Sequence, residues 1–323
     1  MSLELKFACG EYDRTMPFRT GDIQAKNIRL HYTPQAPELT FYEQMKDLRW
    51  DISEMSMSAY VNMRSKGRDD LIALPVFPSR VFRHSARYVR KDSEIRFPRQ
   101  LHGRRVGIGW YQMSGAVWCR GALMDDYGFD PDAVTWVSGT DVPATADADQ
   151  VHQAGDMVAE TKQERPRLEL MLETGEIDAL ISVHTPRAIA LNEGTLRYLF
   201  DDCGAVEQNY FARTRIFPMM HTIVMKRSIH HSDPWAAGSL FEAFEMAKNR
   251  AVANLYDLNA LTVAVPFIVH ELDRTRSQMG MNYWPFGLKA NRHAITTFLR
   301  YLREQKIIRL IPEIDQLFLP LEP

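Results

Sequence analysis

An α/β architecture in two lobes is the expectation for this chain, and three observations lead to it. The 323 residues exceed what one hydrophobic core usually serves and suit two. Short apolar runs alternate with amphipathic stretches along most of the length, as when strands interleave with helices. No internal repeat or low-complexity tract offers a competing architecture.

Residues 3–9 alternate Leu3, Leu5 and Phe7 with polar neighbours and predict a strand. Residues 28–32 predict a second. Leu39, Tyr42, Met45 and Leu48 fall at helical spacing and predict a helix over 38–48. A short strand at 50–53, a helix over 56–65 and a buried strand at 71–77 follow. Strands joined through helices cross over with a fixed hand and give a largely parallel sheet. A second series starts near residue 92: strand 104–109, helix 114–127 ending at Gly128, strand 134–137, helix 166–174 closed by Gly175, strand 177–183. Residues 138–165 are polar and read as a surface loop or marginal helix. Beyond them the pattern predicts a strand at 217–226, a long helix over 234–255 with Pro234 in its first turn, and a helix over 292–305. One lobe is therefore expected to hold residues 1–90 plus 215–323, and the other residues 91–214, with a ligand cleft between them.

Composition removes several function classes. Lys and Arg total 39 against 41 for Asp and Glu, a balance that gives no global attraction to nucleic acid or an anionic membrane. Cys9, Cys119 and Cys203 are odd in number and widely spaced, so neither a disulfide framework nor a C-x-x-C metal pair is expected. The first ten residues lack the basic start and apolar run of a secretory signal, and no stretch approaches the ~20 apolar residues of a membrane span. A cytoplasmic location in a reducing compartment is the expectation.

Chemistry concentrates in the turns that follow strands. Residues 10–15 bring Glu11, Tyr12, Asp13 and Arg14 together; a solvated loop with an internal Asp13–Arg14 pair is the plainer alternative. Glu54 follows a strand, and Ser56 or Ser58 is placed to cap the next helix, which aims backbone N–H groups at an anion. The run Phe77-Pro78-Ser79-Arg80-Val81-Phe82-Arg83-His84 is the most informative, since two guanidinium forks suit a dicarboxylate and His84 can carry a proton near neutral pH. At 106–115 a strand, a turn with Tyr111 and a helix start at Ser114 form another anion-receiving turn. Gln112 stands where a dinucleotide fingerprint needs its third glycine, so that reading fails. His221 belongs to the run Phe217-Pro218-Met219-Met220-His221 at a second expected crossing. His184 and the pair His230-His231 are read as structural or exposed. Zincin, nucleophile-elbow and P-loop motifs and Cys/His zinc spacings are absent; no cofactor is identified, and a divalent metal on scattered ligands stays open.

These turns together resemble one family. The stretches Ala8-Cys9-Gly10-Glu11-Tyr12-Asp13-Arg14, Asp51-Ile52-Ser53-Glu54-Met55-Ser56, Leu74 through His84, Tyr111-Gln112-Met113, Val117-Trp118-Cys119-Arg120-Gly121, Ile177 through Ser182, Phe217 through His221 and Pro234-Trp235 are similar to 4,5-dihydroxyphthalate decarboxylases. The likeness runs in the same order from about residue 5 to residue 320. At Ser114-Gly115 the chain departs from the Thr-Ala expected of relatives.

The resemblance implies a two-lobed type 2 periplasmic-binding-protein-like fold and non-oxidative decarboxylation of a hydroxylated aromatic dicarboxylate in aromatic catabolism. It implies a small aromatic acid as partner, no nucleic acid or membrane, and a homo-oligomer. Such a reaction needs a carboxylate clamp, a partner for the ring hydroxyls and a proton donor to carbon. Arg14, Arg80 and Arg83 are expected in the clamp, with Ser56, Tyr111 and Ser114 also binding substrate. Glu54 or Asp13 is expected at the hydroxyls, and His84 or His221 as the donor. The alternatives are a non-catalytic binding protein for a small aromatic or organic acid, and a different enzyme on the same scaffold that would need a reactive lysine or cysteine; the turns offer none, and Cys9, at a strand end near the first turn, is read as buried and inert.

Overall fold

The computed structural model describes residues 2–139 and 167–323; the polar stretch expected over 138–165 falls almost wholly outside them. Its contacts divide the chain into two units. The first comprises Met1–Arg80, His221–Thr296 and Pro312–Pro323; the second comprises Val81–Met220 and Thr297–Ile311.

In the first unit, the alternation in β1 (Leu3–Cys9) buries Leu5 and Phe7 and turns Glu4 and Lys6 outward. The chain continues through α1 (Met16–Thr20), β2 (Ile28–Pro34), α2 (Pro37–Asp47), β3 (Ile52–Ser56), α3 (Met57–Ser65) and β4 (Leu71–Leu74). Strand order is β2-β1-β3-β10-β4, where β10 is His221–Lys226. β1 runs parallel to β2 and β3, while β10 is antiparallel to both β3 and β4. Phe7 anchors the core, stacked on Tyr32 and met edge-on by Phe18 and Phe244. Burying each such ring stabilises by roughly 1.5–3 kcal/mol. Every residue of β3 is buried, as expected of a central strand covered on both faces.

In the second unit the order is β5 (Arg87–Arg90), β6 (Arg105–Ile108), α4 (Ser114–Tyr127), β7 (Thr135–Val137), helical residues 167–174, β8 (Ala179–Ile181), α5 (Arg187–Ala190), β9 (Leu196–Tyr198) and α6 (Cys203–Thr214). Its sheet reads β7-β6-β8-β5-β9, with β6 parallel to β7 and β8 and β5 antiparallel to β8 and β9. Both sheets thus share one plan, three parallel strands followed by an antiparallel fourth. β5 pairs inside this sheet, so residues 81–90 fall with the second unit rather than ending the first at 90. After β10 come α7 (Arg227–Ser232), α8 (Trp235–Asn254), α9 (Ile268–Met279), α10 (Leu288–Glu304) and α11 (Ile314–Leu317). α8 buries Ala236, Ala237, Leu240, Phe241, Ala243, Phe244, Ala247 and Ala251, a helical stripe of small and aromatic residues. Among the described residues, no helix is long and apolar enough to cross a membrane.

Candidate active site

A carboxylate in the middle of β3 organises the first unit's chemistry. Glu54 is 0% exposed, and an unpartnered charge there would be very costly. Four donors meet it. Oε1 accepts from the Tyr12 hydroxyl at 2.7 Å and from His221 Nδ1 at 2.6 Å. Oε2 accepts from the Gly10 backbone N–H at 2.8 Å and from the Cys9 thiol at 3.3 Å. Burial alone would raise the Glu54 carboxyl, but the His221 charge and the hydrogen bonds from His221, Gly10 and Tyr12 outweigh it and hold the group below its ordinary value.

His221 opens β10, opposite Ser56 of β3, which brings its ring to Glu54 two residues along the same strand. Because the carboxylate can only accept, Nδ1 carries the hydrogen and Nε2 remains for chemistry. The side chain keeps 19% of its surface exposed, and the Phe41 ring meets it edge-on at 4.9 Å. An imidazole oriented by a buried carboxylate is a recurrent device for moving protons. Burial, then the Glu54 charge, drives the Tyr12 hydroxyl and the Cys9 thiol far up, so both stay protonated and act as donors to Glu54. The alternative enzyme would need a thiolate at Cys9, and burial beside Glu54 works against one.

Asp13 and Arg14 pair at 2.9 Å within the turn. The Arg14 guanidinium lies over two rings, 4.3 Å from the Tyr12 centroid and 4.5 Å from that of Trp284, while its Nε donates to the Pro78 carbonyl at 2.5 Å. Stacking holds the plane of the fork, and among the described residues Nε and Nη1 are the guanidinium atoms that donate to protein. Ser56 caps α3 by accepting from the Ala59 N–H. Arg80 is buried; its Nη2 donates to the Pro285 carbonyl at 2.9 Å and to Asn291 Oδ1, and burial works against its charge. Its guanidinium thus ties the chain before α10 to the turn after β4.

The remaining sequence candidates stand in the second unit. Arg83 donates from Nε to the Met220 sulfur at 3.4 Å and from Nη1 to the Val183 carbonyl at 3.3 Å, weak partners for a guanidinium that burial already disfavours. It packs against the first turn of α4, where a Cβ on Gly115 would lie 3.1 Å from its Nε. His84 is 2% exposed, neither ring nitrogen finds a partner among the described residues, and its ring lies 5.0 Å from Tyr210. Burial, then the Arg87 and Arg213 charges, lowers it to about 3, so the ring is neutral at working pH. Tyr111 faces the Arg120 guanidinium at 3.6 Å, and Ser114 is buried as the first residue of α4.

The structure therefore joins Glu54 to His221 and Asp13 to Arg14, and gives Ser56 and Arg80 visible structural duties. Tyr12, the Gly10 N–H and Trp284 were not among the expected site residues, and Cys9 was named only for an alternative enzyme. Tyr12 stood in a flagged turn, but nothing in the spacing tells that its hydroxyl turns back to β3. Among the described residues no group of three or more His, Cys, Asp or Glu side chains is placed to hold a metal ion.

No family model matches the chain. The crystal structure of the periplasmic aliphatic sulphonate binding protein of Escherichia coli superposes with a TM-score of 0.57, covering 98% of this chain and 97% of that one at 14% identity. That likeness shows the fold, of the type 2 periplasmic-binding-protein kind. Two curated proteins share far more sequence. The 4,5-dihydroxyphthalate decarboxylase of Comamonas testosteroni is 34% identical over 298 residues, 92% of this chain and 90% of the relative. The 4,5-dihydroxyphthalate decarboxylase of Pseudomonas putida is 33% identical over 201 residues, 62% of this chain and 78% of the relative. Fold and relatives define a class, a carboxy-lyase carried on a solute-binding-protein scaffold. Within that class, the chain belongs to the 4,5-dihydroxyphthalate decarboxylase family.

Proposed function

We propose that the chain takes 4,5-dihydroxyphthalate, releases one carboxylate as CO2 and leaves a dihydroxybenzoate, with His221 as the proton donor. The balance is simple. One proton is added to the ring carbon that bears the carboxylate, the carbon–carboxylate bond breaks, and its electron pair restores the aromatic ring. A hydroxyl para to that carbon feeds electron density to it when its own proton is held by a base. Asp13 is the group for that hydroxyl, and the Arg14 guanidinium pairs with a carboxylate. Glu54 takes no part in contact with substrate, since four protein donors already occupy its oxygens; it orients His221 and balances the charge of the imidazolium before transfer. His84 is set aside as donor because a buried ring held neutral is too weak an acid to protonate carbon.

The observation that carries this reading is the 2.6 Å contact from Glu54 to His221 Nδ1, which leaves Nε2 as the working atom. The test is turnover of 4,5-dihydroxyphthalate in D2O, followed by trapping of CO2 and NMR of the product. One deuterium at the vacated ring position is expected, and His221→Ala is expected to lose about 10²–10⁴ of the rate, the usual worth of a general acid. Ligand binding without CO2 release would favour the non-catalytic binding protein instead. Full activity in His221→Ala would move the donor elsewhere.

A further inference from the structure

We infer that Tyr12 is a positioning residue that joins the carboxylate-binding arginine to the proton donor through one side chain. The inference rests on the function proposed above and on three contacts. The Tyr12 hydroxyl donates at 2.7 Å to Glu54 Oε1, the same oxygen that holds His221 Nδ1. The Arg14 guanidinium lies over the Tyr12 ring, 4.3 Å from its centroid, and 4.5 Å from that of Trp284. The third contact is with Gly10: a Cβ on that residue would lie 2.8 Å from Tyr12 Cζ, so the ring occupies space that only a glycine leaves open.

The turn that carries Tyr12 is held on several sides. Its backbone N–H bonds to Thr15 Oγ1 at 3.0 Å, Thr15 Oγ1 donates to the Gly10 carbonyl at 2.9 Å, and the Tyr32 hydroxyl donates to the same carbonyl at 2.8 Å. A side chain fixed this way can fix others. Two donors on one carboxylate oxygen stop the carboxylate from rotating, and the imidazole then keeps its direction. The ring face does the same for the guanidinium plane. Tyr12 does not deliver the proton itself, because its hydroxyl points at Glu54.

The two halves of the role separate by mutation. Tyr12→Phe removes the hydroxyl and keeps the ring, whereas Tyr12→Leu removes both. Steady-state kinetics on 4,5-dihydroxyphthalate, with thermal unfolding as a folding control, are expected to show kcat about tenfold lower in Tyr12→Phe with KM little changed. In Tyr12→Leu, KM is expected to rise about tenfold as well. The groups facing Glu54 are the Cys9 thiol and Gly10 N–H from the end of β1, Tyr12 from the turn and His221 from β10. Tyr12→Phe deletes one donor to the anion and leaves the others, so the acid limb of the pH–kcat profile is expected to move to higher pH. A merely structural tyrosine would lower the unfolding temperature without moving that limb. If the wild type turns over and Tyr12→Phe matches it in kcat and pH profile, the inference is overturned; if Tyr12→Leu fails to fold, Tyr12→Phe alone decides it. Absence of turnover in the wild type counts against the proposed function instead, and with it the premise of this inference.

Discussion

Glu54 shows how one residue can be both a structural burden and a functional asset. A carboxylate at the centre of a sheet persists there because each oxygen meets two donors. Glu54→Gln keeps the shape but turns an amide nitrogen toward donors it cannot accept from. It is expected to cost about 2–4 kcal/mol in stability and to lower kcat at least about 100-fold, read by denaturant unfolding and by initial rates. A variant with wild-type rate would break the link between Glu54 and the donor. Arg80 makes a contrasting case. Its internal bonds to Pro285 and Asn291 predict that Arg80→Lys lowers the unfolding temperature by several degrees with a smaller effect on KM. A raised KM at unchanged stability would return Arg80 to the clamp. Both residues were visible in the sequence as polar groups beside apolar runs. Their partners were not, since Glu54 and His221 lie 167 positions apart and meet only through the β3–β10 register.

At the scale of elements, α4 explains why the run Val117-Trp118-Cys119-Arg120-Gly121 looks as it does. Trp118 stacks on Phe298 at 5.2 Å and donates to the Met219 carbonyl at 2.8 Å. Arg120 donates to Gln305 Oε1 at 2.8 Å and to the Tyr111 carbonyl at 2.5 Å. Gly121 lets the Tyr301 ring approach so closely that a Cβ would lie 2.2 Å from it. Gly121→Val is therefore expected to destabilise by roughly 2–4 kcal/mol, since a ring and two helices cannot move aside cheaply, and thermal unfolding would show it. A neutral result would mean that α4 and the end of α10 are loosely packed. The helix itself was legible from its bounding turn and Gly128. β5 was not, because Arg87 and Arg90 bracket a Tyr-Val pair and break the apolar run. The structure instead buries Arg87, with Nη2 on the Cys119 carbonyl at 2.6 Å and Nη1 on the Arg83 carbonyl at 3.1 Å. α9 was not among the expected elements; Leu272 is its one buried residue.

Across the whole molecule, the antiparallel strand in each sheet, β5 or β10, is the first strand after the chain enters that unit from the other. Hydrophobic patterning finds strands but does not give direction, which is why the sequence suggested sheets more uniformly parallel than these. Direction matters here, since it is the reversed β10 that delivers His221 to Glu54. The second unit holds its own histidine under opposite terms. His84 is buried and lowered to about 3, against about 6.5 for an unfolded histidine. Above pH 6.5 neither state binds the proton, so folding is unaffected. As pH falls from 6.5 toward 3, the unfolded chain takes up a proton that the folded chain refuses, and stability drops, by on the order of a few kcal/mol over the full window. The unfolding midpoint of the wild type is thus expected to fall between pH 7 and pH 5, above the range where carboxylates such as Glu54 titrate. His84→Phe, whose ring suits a place beside Tyr210 and Phe200, is expected to flatten that slope whatever it does to absolute stability. An equally steep slope in the variant would place its source in another group, such as His230, which is also lowered, and the refusal of a proton by folded His84 would have to be abandoned.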